Sequence, residues 1–122
     1  LWTLALFTGD STLSDLVESA IHSASLLAER APSAVGHLLA VVTSLSEAKE
    51  VAVVGPAADA LAGPVRSKLP HDVVLAVSAD GSEPIPLLAD RHVEGSTLAY
   101  VCRSFVCERP VSDADELVGL LG

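Results

Sequence analysis

The sequence predicts an α/β protein: N-terminal helices packed with a small, mainly parallel, Rossmann-like sheet, then a C-terminal hairpin and helix. Three observations carry this. Apolar residues recur at three- and four-residue spacing through the first 46 positions. Two short runs rich in β-branched residues, Val51-Ala52-Val53-Val54 and Asp72-Val73-Val74-Leu75-Ala76-Val77, flank a helix-like segment. Two further short apolar runs meet around Cys102 and Cys107, in a Cys-x4-Cys spacing.

Taken in order, Trp2, Leu4, Ala5, Leu6 and Phe7 end a first element, and Thr8-Gly9-Asp10 supplies its turn. Thr12-Leu13-Ser14-Asp15 resembles a capping box, whose hydroxyl and carboxylate satisfy amides at a helix start. Leu13, Leu16, Val17, Ala20, Ile21, Ala24 and Leu27 then share one helical face. Pro32 suits the first turn of the next helix, whose apolar stripe is Val35, Leu38, Leu39, Val42 and Leu45. Near Glu50 the period changes. The strand at 51–54 is continuous, apolar and closed by Gly55-Pro56, which predicts burial on both faces. Residues 57–69 read as a helix that Gly63-Pro64 kinks or restarts. The second strand follows Pro70, so the unit reads as strand, helix, parallel strand. Residues 78–97 read as a loop, with Asp80-Gly81, Pro84 and Pro86 at turns and Ile85, Leu87 and Leu88 on the core. A third strand at 98–102 turns back through Arg103-Ser104 into 105–107, and a last helix begins at Ser112 or Asp113, with acidic residues in its first turn. Residues 1–46 and 50–122 form two architectural parts of one compact unit.

Half of the 122 residues are apolar, enough for a real core. Sixteen acidic against seven basic residues give a formal net charge of −9, and the basic side chains are scattered singly. That balance disfavours nucleic acid and anionic lipid as partners. The opening apolar run is too short to span a bilayer and lacks a basic flank, so neither a membrane nor an export reading is supported and a cytoplasmic location is expected. There is no methionine, at position 1 or elsewhere, and the chain reads as the tail of a longer protein.

Few residues carry candidate chemistry. Cys102 and Cys107 support three readings: a redox pair, half of a zinc site, or structural residues able to bridge on oxidation. Zinc needs four ligands, and His22, His37, His71 and His92 are placed singly, so no metal is expected. The two cysteines are expected to face each other across the turn at 103–106. Gly55-Pro56 ends a strand where open α/β sheets bind phosphates, but the Gly-x-Gly-x-x-Gly fingerprint is absent and Pro56 removes a donor, so no cofactor is expected. Asp90-Arg91-His92-Val93-Glu94 gathers acid, base and imidazole, a group able in principle to do acid–base work, although a solvated loop of mixed charge is much the commoner use of such residues. Ser11, Ser14, Ser23 and Ser25 lie at helix starts or on polar helical faces, outside any Gly-x-Ser-x-Gly. No catalytic residue is assigned, and the isolated chain is expected to lack hydrolase, epimerase and disulfide-reductase activity.

Tyr100-Val101-Cys102-x-x-Phe105-x-Cys107-x-x-Pro110, followed by Asp113 and Leu117, resembles the C-terminal end of the YyaL-type thioredoxin-domain-containing proteins, relatives of a spermatogenesis-associated thioredoxin-like protein. The Thr8-Gly9 turn, Pro32, Val51-Val53-Val54-Gly55, Leu69-Pro70 and Ile85-Pro86-Leu87-Leu88 fall in matching order, so the resemblance spans nearly the whole chain. It implies that 1–46 are the last helices of an α/α toroid similar to epimerases and six-hairpin glycosidases, and that 50–122 are a small α/β C-terminal domain. The implied partners are the preceding toroid and a thioredoxin-like domain, and the implied role is non-catalytic packing against the toroid. The alternative is that His37 or the 90–94 loop contributes to a carbohydrate or thiol-redox site of the longer protein. The family's own Cys-x-x-Cys motif does not map onto Cys102 and Cys107. Trp2, Leu4, Leu6 and Phe7, with unpaired parts of the two apolar stripes, are expected to form an uncovered patch through which the chain forms a homodimer or passes its first residues onto a neighbouring molecule.

Overall fold

A computed structural model describes residues 1–122 except Glu47, Leu69 and Phe105, and leaves the side chains of residues 44–46 undescribed. It is an α/β fold. The order is α1 (Trp2–Thr8), α2 (Ser11–Arg30), a 3-10 turn (Pro32–Val35), α3 (Gly36–Ser46), β1 (Lys49–Val54), α4 (Ala58–Ser67), β2 (Val73–Ser78), a second 3-10 turn (Pro86–Leu88), β3 (Leu98–Arg103), β4 (Val106–Cys107) and α5 (Ala114–Leu121).

The sheet order is β2-β1-β3-β4. β1 and β2 run parallel around α4, with Val51 opposite Leu75. β3 lies antiparallel on the other edge of β1, with Val54 opposite Leu98, and β4 pairs antiparallel with β3. The sheet is therefore mixed, with one parallel pairing, not mainly parallel. A parallel third strand needs a crossover back along the sheet. Residues 79–97 instead turn at the end where β2 stops and enter β3 from there.

Pleat alternation divides the core in two. Val51, Val53, Ala99 and Val101 meet α4 and α5 through Leu61, Ala62, Val65, Leu117 and Leu121. On the opposite face Ala52, Val54, Val74 and Ala76 meet Leu6 of α1 and Leu87 and Leu88 of the second 3-10 turn. Covered on both faces and paired on both edges, β1 is buried from Glu50 to Val54. Leu87 and Leu88 are each 1% exposed, so the long connection is anchored as its apolar residues predict.

Local signals place most boundaries. Gly9 ends α1 in the left-handed conformation, its amide donating to the Ala5 carbonyl. The cap of α2 is Asp10, not Thr12: the Asp10 carboxylate accepts from the Thr12 amide at 2.9 Å and the Thr12 hydroxyl at 2.6 Å. Both are N-cap residue types, and the carboxylate two residues earlier captures the amide and Thr12's own hydroxyl. The Thr12 hydroxyl's bond holds the Asp10 carboxyl below its ordinary range. Pro64 lies inside α4, which runs on without a restart. Asp113 caps α5 by accepting from the Asp115 and Glu116 amides at 3.0 and 2.9 Å.

Lys49 ties three elements together, its ammonium donating to Asp72 Oδ2 and to the Leu121 carbonyl, each at 3.0 Å. That bond holds the Asp72 carboxyl below its ordinary 3.8, against the opposing effect of partial burial. A carboxylate whose pKa is depressed by folding stabilises the fold above its unfolded pKa and loses that contribution as pH falls through the folded value. Asp72→Asn should therefore lower stability by about 1 kcal/mol at neutral pH. In urea titrations the gap between variant and parent should close below about pH 4.

Candidate functional site

The most organised polar cluster sits where β3 and β4 meet. Cys102 is opposite Cys107 in the register, and the Glu108 amide donates to the Val101 carbonyl at 2.9 Å, which makes 102/107 a non-hydrogen-bonded pair. Side chains of such pairs stand close, and here the Cα atoms are 3.9 Å apart and the sulfurs form a disulfide. Ser104 takes the left-handed conformation in the connecting turn (φ 49°). Phe105, which the sequence places beside it, lies outside the described residues. Cys102 is fully buried, whereas Cys107 is exposed.

Arg91 reaches this disulfide from the connection between β2 and β3. Leu87 and Leu88 fix the chain to the core just before it, and Asp90 turns it in the left-handed conformation (φ 57°). The Tyr100 hydroxyl donates to the Arg91 carbonyl at 3.2 Å, and the guanidinium lies 5.2 Å from the Tyr100 ring centroid. Nη1 then stands 3.2 Å from Cys102 Sγ and 3.1 Å from Cys107 Sγ. Tyr100 and Cys102 share a face of β3 because they are two residues apart. One arginine thus spans both sulfurs, held at its backbone by the hydroxyl and at its head by the ring of the same tyrosine. Glu50 of β1 is opposite Cys102 in the register and fully buried.

The other candidates separate. Of the 90–94 loop, Arg91 turns to the sulfurs, while Asp90, His92 and Glu94 are exposed. His92 lies close enough to Asp80 to add to the lowering of that carboxyl, which its bond with Ser82 dominates. His22 of α2, His37 of α3 and His71 in the turn before β2 are exposed and apart. Among the described residues no group of three or more histidine, cysteine or acidic side chains is placed to hold a metal ion. The Ser23 and Ser25 hydroxyls donate to carbonyls of their own helix. At the ends of β1 and β2 a crevice of about 250 Å³ is lined by Gly55, Pro56, Asp59, Ser78 and Glu83. Its chemistry disfavours phosphate, because Asp59 and Glu83 are acidic and the Ala57 amide already donates to Thr97 Oγ1 at 3.0 Å.

No family model, curated protein or solved structure matches the chain. Among the described residues no helix is long and apolar enough to cross a membrane.

The sequence makes the cysteine pair visible but places Arg91 in a mixed-charge loop at 90–94, with no link to the cysteines. Arg91 and Cys102 are eleven positions apart, and their contact depends on how the anchored connection folds over β3.

Proposed function

We propose that this chain is a non-catalytic C-terminal domain of a thioredoxin-domain-containing protein, packing against its helical toroid and stabilising it. The parent's identity rests on the sequence resemblance around Tyr100 to Pro110, and the observation that supports the packing role is α2, a twenty-residue helix without one buried residue. Leu16, Leu26 and Leu27 are 58%, 65% and 50% exposed. With α3 it flanks a mainly apolar groove lined by Ile21, Ala24, Leu38, Leu39 and Val42. Of the other two residues of the α3 stripe, Val35 is buried in the 3-10 turn and Leu45 lies outside the described side chains. The opening residues contribute less than the sequence suggests: Leu6 is buried and Trp2 and Phe7 pack on the Leu87–Leu88 face, leaving Leu4 exposed. Amphipathic helices owe most of their stability to tertiary packing. An uncovered apolar face therefore fits a helix that meets further protein. Covering several hundred Å² at about 25 cal/mol per Å² is worth several kcal/mol before the entropy of association is counted.

Footprinting of leucine side chains by hydroxyl radicals tests this, with the longer parent protein compared against this chain alone. Leu16, Leu26 and Leu27 should be labelled several-fold less in the parent. Leu16→Gln with Leu26→Gln should lower the parent's melting midpoint and leave that of the isolated chain nearly unchanged. Equal labelling in both proteins would remove the basis of the proposal. A concentration-dependent mass of the isolated chain, abolished by the same double variant, would show that a second copy covers the face instead.

A further inference from the structure

We infer that Cys102 and Cys107 form a thiol–disulfide exchange site for an external dithiol, with Arg91 stabilising the departing thiolate. This goes beyond the packing role and rests on different residues. Exchange requires one accessible sulfur, room for an attacking thiolate, and a leaving sulfur whose negative charge is stabilised. The hairpin meets these conditions unequally at its two ends. Cys107 is exposed on a two-residue strand at the sheet edge, beside Val106, which is 76% exposed. Cys102 is fully buried and shielded from direct attack. A thiolate formed at Cys102 would be costly in so dry a place without a cation. Arg91 Nη1, 3.2 Å away, supplies one and cannot deprotonate.

The reaction balances as follows. One thiolate of the dithiol attacks Cys107 Sγ, the Cys102–Cys107 bond breaks, and its electron pair passes to Cys102 Sγ. A mixed disulfide now joins the reagent to Cys107. The second thiolate of the reagent attacks its own sulfur in that mixed disulfide, closing a disulfide in the reagent and releasing Cys107 as a thiolate. The dithiol loses two electrons and its two thiol protons, and the protein gains two electrons and, on protonation, two thiols. Arg91 acts at the first step. Its weak donation to two neutral sulfurs becomes a charge-assisted bond as Cys102 acquires charge, so it favours the product side of that step. A purely structural cross-strand bridge has no need of a cation spanning both sulfurs.

Oxidised protein treated with dithiothreitol, with thiols trapped by a maleimide and counted by mass spectrometry, tests the assignment. Arg91→Met should slow reduction about tenfold, with Arg91→Lys intermediate. Glutathione, a monothiol, should instead accumulate a mixed disulfide at Cys107. In single-cysteine proteins exposed to glutathione disulfide, Cys102→Ser should be modified at Cys107 at least about ten times faster than Cys107→Ser is at Cys102. Far-UV circular dichroism checks folding, and if Arg91→Met fails to fold, Arg91→Lys and the two single-cysteine proteins carry the test. Equal reduction rates in folded Arg91 variants and parent would overturn the role of Arg91, and equal modification of the two cysteines would overturn the direction of attack. Neither result would bear on the packing face of α2.

Discussion

Replacing Gly55 by alanine should remove a large part of the stability of this protein. Gly55 closes β1 with φ at +134°, a conformation that residues with a Cβ rarely adopt. Its amide donates to the Ser78 carbonyl at 3.0 Å and its carbonyl accepts from the Ala58 amide at 3.0 Å, so the turn is held between β2 and the start of α4. A Cβ here would collide with the Ser96 carbonyl oxygen, and would lie 2.5 Å from Thr97 Cα and 2.7 Å from Thr97 Oγ1. Two of these obstacles are backbone, which no rotamer change relieves. Strain of about 1–3 kcal/mol from the dihedral and a similar overpacking cost together approach about 4 kcal/mol. That is a large part of the roughly 5–15 kcal/mol typical of a domain. Urea unfolding should show a much lower midpoint or no native baseline. Gly63→Ala is the control, because nothing lies within 4 Å of its Cβ position and it sits inside α4. It should be neutral or stabilising by up to about 1 kcal/mol. Similar midpoints for the two variants would show that β1 does not leave the sheet against residues 96–97.

Leu117→Ala should cost nearly as much, for the opposite reason: it empties space. Leu117 has no exposed surface and joins the cluster of Val51, Val53, Ala99, Val101 and Val111 beneath α5. Truncating a buried leucine costs about 2–5 kcal/mol, the upper part applying where the surroundings cannot collapse. Here they are a central strand paired on both edges and its antiparallel neighbour, so a value near the upper part, about 4 kcal/mol, is expected. Arg109→Ala supplies the contrast. Its 2.6 Å ion pair with Glu116 joins side chains that are 80% and 44% exposed, so its loss should be within about 0.5 kcal/mol. Guanidinium titrations followed by far-UV circular dichroism decide the case. A loss under about 1 kcal/mol for Leu117→Ala would mean that α5 does not seal this face.

The packing behind these two expectations was only partly legible in the sequence. Val51, Val53, Leu87 and Leu88 are identifiable as core from apolar runs between glycine and proline punctuation. The start of α5 is identifiable to within two residues from its acidic first turn, and the structure makes Asp113 its cap. Local pattern puts the cap of α2 at Thr12, since Asp10 and Thr12 are both good capping residues and only the folded turn shows the Asp10 carboxylate taking both the amide and the hydroxyl. The need for glycine at 55 was also invisible, because it arises from residues 96–97, some forty positions away. At the disulfide, the two cysteines are visible in the sequence, whereas the approach of Arg91 from the 90–94 connection is not.

The sequence by itself determined the α/β class, the positions of the helices and strands, and the burial of β1 on both faces. These follow from hydrophobic period and local turn chemistry, which act over a few residues. Only the tertiary structure decided that β3 runs antiparallel on the far edge of β1, that α2 keeps its leucines uncovered, and that Arg91 lies across Cys102 and Cys107. Each of these depends on contacts between segments distant along the chain, where the path of an anchored connection, and not the spacing of residue types, sets which groups meet.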